Sequence, residues 1–229
     1  MATIYYIHDP MCSWCWGFRP ALDALNANLG DHIQLEYLLG GLAKDTDDLM
    51  PLGLRQQIQN HWHTIQTRVP GTRFNFDYWE KCQPRRSTYP ACRATLAAKL
   101  QNIQFEEPMI LAIQHAYYLQ ARNPSDTETL IELADDIGLD VDRFGSDLHS
   151  DETQSLLKRE IIFARKIGGN AFPMLLLGNN NSYHQVLIDY NHPENMLNEI
   201  NQFLSQHNQG EDGSSNRNHD ENGSSTGEG

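Results

Sequence analysis

Residues 10–17 read PMCSWCWG, two cysteines three positions apart with tryptophans at 14 and 16. Ahead of them residues 3–8 (TIYYIH) form an apolar, β-prone run without polar alternation, the pattern of a strand covered on both faces. Pro10 breaks that run. From residue 12 to residue 28 the apolar side chains of Cys15, Phe18, Leu22, Leu25 and Leu29 recur at spacings of three and four, which predicts a helix closed at Gly30. Residues 33–39 (IQLEYLL) predict a second strand, ending at Gly40-Gly41. Strand, helix and strand make a βαβ unit with the cysteine pair on the first helical turn. Three uses compete for such a pair: holding a metal, stapling a loop and carrying electrons.

Beyond this unit lie about one hundred residues without a convincing strand pattern. Helices are predicted near 52–69, 88–101, 108–122, 127–137 and 141–148. Asp126 and Asp140 stand where N-caps are expected, and Pro108 suits a first helical position. A further amphipathic helix over 152–167 stops at Gly168-Gly169. NAFPMLLLG, YHQVLID and HPENMLNEINQFL then predict strand, strand and helix. With the middle removed, the order β-α-β, α, β-β-α is that of an α/β, thioredoxin-like fold with an all-helical insertion after its second strand. The expected division is a discontinuous thioredoxin-like domain over 1–45 and 150–206 and a helical insertion over 46–149. Residues 207–229, rich in Gly, Ser, Asn and acid and free of aliphatic and aromatic side chains, are expected to form a disordered acidic tail.

The chain carries a formal charge of −13, which argues against nucleic acid as a partner because phosphate binding needs a basic surface. No stretch approaches the roughly 18 apolar residues of a membrane span, so no membrane partner is expected. The start, MATIYYIHDP, has neither a basic n-region nor a long apolar segment followed by a small-residue cleavage site. A cytoplasmic protein is expected, in a compartment where thiols stay reduced and structural disulfides are rare.

Cysteines at i and i+3 on a helix share a face, and Cys12 is expected at the helix's N-terminus, where unpaired amides and the positive end of the dipole favour an anion. A free thiol is only about 3% thiolate at pH 7, and the thiolate is the nucleophile, so this placement makes Cys12 the attacking group. Cys15, one turn inward between Trp14 and Trp16, would resolve the mixed disulfide from inside. Ser13 and Trp14 tune the pair, Ser13 through its hydroxyl. With no His or Lys between the cysteines, a milder activation is expected than in the strongest oxidants. His8 and Asp9 are close enough in sequence to act in opposite directions. The second half of the site is expected at Phe172-Pro173: proline cannot donate to a sheet, so its place at the start of a central strand is explained by a cis peptide beside the sulfur. A trans proline opening an edge strand is the alternative.

Plainer readings stand beside these. A structural zinc site needs four ligands and the pair supplies two, while Cys82 and Cys92 are too far apart for a second knuckle; no metal is expected. So short a disulfide loop would stabilise little. Cys92 and Leu96 share a helical face, where a thiol acts as a small hydrophobe, though a Cys82–Cys92 pair is an alternative. Ser87 and Thr88 suit helix caps. His61 and His63 flank Trp62 and point to different sides of a helix, so they suit solvated or packed roles better than a metal. Phe74, Phe76, Tyr78 and Trp79 suit a core better than a substrate surface.

DPMCSWCWGF (9–18), STYPACRA (87–94) and GGNAFPMLLL (168–177) together resemble the DsbA-like branch of the thioredoxin superfamily, most of all its cytoplasmic disulfide isomerases of the FrnE type. The resemblance covers about residues 3–204. It implies Cys12 as nucleophile, Cys15 as resolving thiol, Pro173 as the cis-proline, and Phe172, Ser87 and Thr88 at the substrate. It also implies a thiol–disulfide oxidoreductase or isomerase acting on protein or peptide substrates. The dithiol itself would be the redox group, glutathione a further partner, and an unidentified redox protein the recycler. Two departures, the absence of a histidine between the cysteines and the bulky Phe172 before the proline, count against strong net oxidase activity. Two other readings stand: a glutathione-linked small-molecule transferase or isomerase of the same fold, against which Cys15 counts, and a non-catalytic holdase using the aromatic-rich lid.

Overall fold

The computed structural model describes residues 2–179 and 182–212 of the 229-residue chain. Four strands, β1 (Ala2–His8), β2 (Ile33–Leu39), β3 (Met174–Asn179) and β4 (Ser182–Val186), form one mixed sheet in the order β2-β1-β3-β4. Nine helices accompany them among the described residues: α1 (Ser13–Asn26), α2 (Leu52–Arg68), α3 (Tyr78–Lys81), α4 (Tyr89–Gln101), α5 (Glu106–Tyr118), α6 (Thr127–Asp136), α7 (Val141–Leu148), α8 (Asp151–Lys166) and α9 (Pro193–Asp212).

The unalternating character of β1 follows from its place. It runs parallel to β2 and antiparallel to β3, with Tyr6 opposite Tyr37 on one side and Leu175 on the other. On one face Ile4 and Tyr6 pack with Phe18, Leu22 and Leu25 of α1 and with Met196 and Ile200 of α9. On the other, Ile7, Leu38, Met174 and Leu176 meet Ala164 of α8 and the adjacent Ile167. Fully burying a side chain of this size contributes roughly 1.5–3 kcal/mol, which explains why the central strand has no polar face.

Helices α2 to α7 gather around Trp62, which is fully buried. Phe74 stacks on its ring at 4.8 Å, and Phe76, Tyr78, Trp79, Tyr117 and Tyr118 surround it within 6.1 Å. Those aromatics therefore build a core. The helical stretch and the sheet are not sealed from each other: Leu39 at the end of β2, Cys92 and Leu96 of α4, and Leu157 and Ile161 of α8 form a shared cluster.

Several local expectations shift. Helix α1 ends at Asn26, short of Gly30, and the Asn28 side chain donates to the Ala24 carbonyl at 2.8 Å, satisfying a terminal acceptor. Pro20 lies inside α1, where its missing N–H leaves the Trp16 carbonyl without an i+4 partner. Helix α5 starts at Glu106, two residues before Pro108. Asp140 caps α7 by accepting from the Arg143 amide at 3.0 Å, whereas Asp126 sits at the α6 N-cap position but gives its carboxylate to Arg85. The one-turn α3 has no periodicity to announce it. Helix α9 continues to Asp212, into the stretch expected to begin the tail at 207; the rest of that stretch lies outside the described residues. No helix among the described residues is long and apolar enough to cross a membrane.

Candidate active site

Cys12 occupies the N-cap position of α1 in extended conformation, with no side chain capping the first turn. Pro10 ends β1 and an Asp9 O···H–N Cys12 bond of 3.0 Å turns the chain into the helix. The peptide between Phe172 and Pro173 is cis, and the Phe172 carbonyl faces the Cys12 sulfur at 3.8 Å. Two segments 160 residues apart thus meet at one sulfur, with the proline in the cis form rather than the trans alternative.

Cys15 is fully buried one turn deeper. Burial pushes its thiol well above the ordinary range, and neighbouring Cys12 adds in the same direction. The Asp9 backbone and the Tyr6 side chain pull the other way. Tyr6 was not foreseen as a site residue; inside an apolar strand pattern its ring read as core, and its hydroxyl gives no separate signal.

Asp9 is buried with no cationic partner among the described residues. One oxygen accepts from the Met11 amide at 2.9 Å, and the other from the Leu42 amide at 2.8 Å, the Thr88 hydroxyl at 2.6 Å and the Cys92 thiol at 3.5 Å. Burial raises its pKa while these donors lower it. Asp9 therefore joins the end of β1, the loop after β2 and the start of α4. Thr88 stands at the α4 N-cap position, yet its side chain leaves the helix uncapped, turning to Asp9 and accepting from the Ala43 amide at 3.0 Å. Ser87 accepts from the Thr46 amide at 3.4 Å. Both are buried and neither is among the residues lining the groove at Cys12; the nearby carboxylate and loop amides outcompete the cap.

His8 is also buried, stacked on Tyr6 at 5.0 Å, with its pKa lowered to about 3 by burial and then by the charges of Arg19 and Lys99. It stays neutral at physiological pH. Ser13 accepts from the Trp62 indole at 2.9 Å, tying the residue between the cysteines to the aromatic core. Trp14 lies edge-on to Tyr190 at 5.6 Å, with the Arg68 guanidinium 6.0 Å from its ring centre.

All four thiols are free; Cys82 donates to the Ala121 carbonyl at 3.1 Å and Cys92 to Asp9, so these two do not pair with each other. Among the described residues no group of three or more His, Cys, Asp or Glu is placed to hold a metal. A groove of about 220 Å³ opens at Cys12, bounded by Leu42, Ile58, Arg86, Tyr117 and Phe172. Cys12 is only 6% exposed, so the groove is the way to its sulfur. His61 lines the groove while His63 stacks on Phe76 at 4.5 Å, on different sides of α2.

A dithiol at a helix start, a cis-proline beside it and helices inserted after the second strand define a DsbA-like protein of thioredoxin fold. A thioredoxin family model matches residues 5–199, and the chain belongs to that family. Among solved structures, a Nitrosomonas europaea protein with a provisional disulfide isomerase designation has a TM-score of 0.79 at 28% identity, over 90% of this chain and 98% of that one. The cytosolic disulfide reductase DsbM of Pseudomonas aeruginosa shares the fold, with a TM-score of 0.71 at 22% identity over 89% and 99% of the two chains. A curated relative, the ClpXP adapter protein SpxH of Bacillus subtilis (strain 168), is 26% identical over 180 residues, 77% of this chain and 58% of that protein. The chain thus matches less than two thirds of the length of these curated relatives.

Proposed function

We propose that the protein is a thiol–disulfide oxidoreductase acting on protein or peptide substrates. The observation that carries this reading is the meeting of Cys12, at the uncapped start of α1, with the Phe172 carbonyl and cis-Pro173, while Cys15 waits buried behind it. In the reducing direction the Cys12 thiolate attacks one sulfur of a substrate disulfide. The substrate's S–S bond breaks, its other sulfur leaves as a thiolate that takes up a proton, and a Cys12–substrate disulfide forms. Cys15 loses its proton and attacks the Cys12 sulfur, releasing the second substrate thiol and leaving a Cys12–Cys15 disulfide. Two electrons have passed to the substrate. The reverse steps oxidise a dithiol, and cycling without net transfer isomerises disulfides.

Burial of Cys15 supports this division of labour: it stays protonated until Cys12 is in a mixed disulfide, and substrate cannot reach it directly. Insulin reduction and refolding of a scrambled substrate, measured with wild type and Cys12→Ser, test the proposal. Loss of both activities is expected; undiminished turnover in Cys12→Ser would end it. Glutathione, bound in one structure of the Pseudomonas reductase, is a candidate partner, and the cytosolic designation of that enzyme supports a cytoplasmic site of action with a recycling protein still to be identified.

The adapter names of the curated relatives favour a second reading, in which the groove holds a protein partner without electron transfer. Partner capture undiminished in a Cys12→Ala/Cys15→Ala double variant would support it.

A further inference from the structure

The groove beside Cys12 holds one guanidinium and no carboxylate among its described lining residues. That residue is Arg86, half-buried, in a lining it shares with Phe172. Its neighbour Arg85 is committed to Asp126 and to the Ser125 carbonyl, Arg93 to Asp45, and Arg68 lies over Trp14. Arg86 makes no hydrogen bond or ion pair with any described residue. Its charge reaches Tyr117, which also lines the groove, as do Gln57 and His61 of α2. In a chain with 30 acidic against 17 basic residues, a partly desolvated guanidinium left unpaired beside the reactive sulfur is unusual. Desolvation without a partner is unfavourable, and a carboxylate brought by the substrate removes that cost.

Resting on the thiol–disulfide reading above, we propose that Arg86 is a specificity residue selecting disulfides that carry a carboxylate close to the sulfur. The planar fork of the guanidinium takes such a carboxylate through two parallel hydrogen bonds, which an amide of the same shape cannot match. The shared chemistry has two sources: an acidic residue beside a cysteine in a peptide, or the terminal carboxylates of glutathione disulfide.

The test compares kcat/KM for two peptide disulfides differing only by Glu or Gln beside the cysteine, and for glutathione disulfide against its dialkyl ester. A charge-assisted pair of this kind predicts about a tenfold preference for the carboxylate form, shrinking as salt is raised. Arg86→Gln brings that ratio close to one, and Arg86→Lys retains part of it. A preference seen only in the glutathione pair assigns the carboxylate to the small thiol, and one seen only in the peptide pair to a protein substrate. Equal rates within both pairs, or a preference intact in Arg86→Gln, overturns the proposal. A second measurement separates it from the enzymatic reading: calorimetric binding of the S-methylated Glu and Gln peptides to Cys12→Ser. Charge-selective binding without turnover in the wild type removes the oxidoreductase reading and leaves Arg86 a carboxylate-binding residue only; turnover without charge selection keeps that reading and overturns the role of Arg86.

Discussion

Ser13, between the two cysteines, accepts a hydrogen bond of 2.9 Å from the indole of Trp62, the fully buried centre of the helical core. The dipeptide between the cysteines is therefore held by a residue 49 positions away, on α2. Ser13→Ala leaves that indole N–H buried and unpaired, which costs roughly 1–3 kcal/mol. Trp62→Phe is destabilising through the void it opens in the cluster, by less than the roughly 3–5 kcal/mol of a truncation to Ala. The double variant is expected to be less destabilised than the two losses added, because the orphaned N–H is gone. Denaturant melts of the four proteins measure this coupling, and strict additivity would show that the bond contributes nothing.

Cys15→Ser is expected to trap the mixed disulfide. Cys12 can still attack, but no thiol remains to displace the substrate. Non-reducing gels and intact-mass measurement after mixing with a disulfide-bearing peptide should show one covalent adduct per chain, absent in Cys12→Ser. An equal yield of adduct in Cys12→Ser would move the nucleophile elsewhere.

Gly40→Ala tests the packing that sets Phe172. A Cβ at residue 40 would meet the Phe172 ring at 1.8 Å, and the ring must move to admit it. Overpacking of this sort costs about 1–3 kcal/mol, and here it also displaces the residue whose carbonyl faces Cys12. Thiol–disulfide exchange is expected to slow more than the loss of folded protein explains, read from initial rates at a temperature where circular dichroism shows the variant folded. Unchanged rates would show that Phe172 need not be held against Gly40.

Glu160 predicts a pH dependence of stability. Its carboxylate accepts from the Leu39 amide at 2.9 Å, and burial raises its pKa from 4.5 to about 7, with that amide and Lys99 opposing and Glu106 reinforcing the shift. The folded state holds this proton more tightly than the unfolded chain does. The resulting stabilisation is full below the unfolded value and fades as pH rises through about 7. Glu160→Gln, which keeps an acceptor but does not titrate, should show no such contribution. The stability difference between wild type and variant is expected to fall from pH 4.5 to about 7 and then level, measured by urea unfolding at fixed ionic strength; a flat difference would contradict the assignment.

Much of the framework was legible in the residues. Unalternating TIYYIH, the three-and-four spacing after Cys12 and the Gly168-Gly169 stop each reflect local rules, so the strands and most helices fall within a few residues of expectation. The caps were read less well. Thr88 and Asp126 stand where caps belong, yet a buried carboxylate and an arginine took their side chains, and a single-residue preference cannot anticipate such partners. Tyr6 and Arg86 were missed for a related reason: one looked like core, the other like an ordinary surface charge.

The amino-acid order alone determined the class of fold and singled out the cysteine pair, because periodicity, helix starts and a CxxC are properties of neighbours in sequence. Tertiary structure decided what surrounds that pair: the Phe172 carbonyl at the Cys12 sulfur, the Trp62 indole on Ser13 and Arg86 in the lining of the same groove. Each of these comes from a different element or from a loop far along the chain. Only burial of the two sheet faces and the aromatic core brings them together, and that packing depends on the whole chain at once.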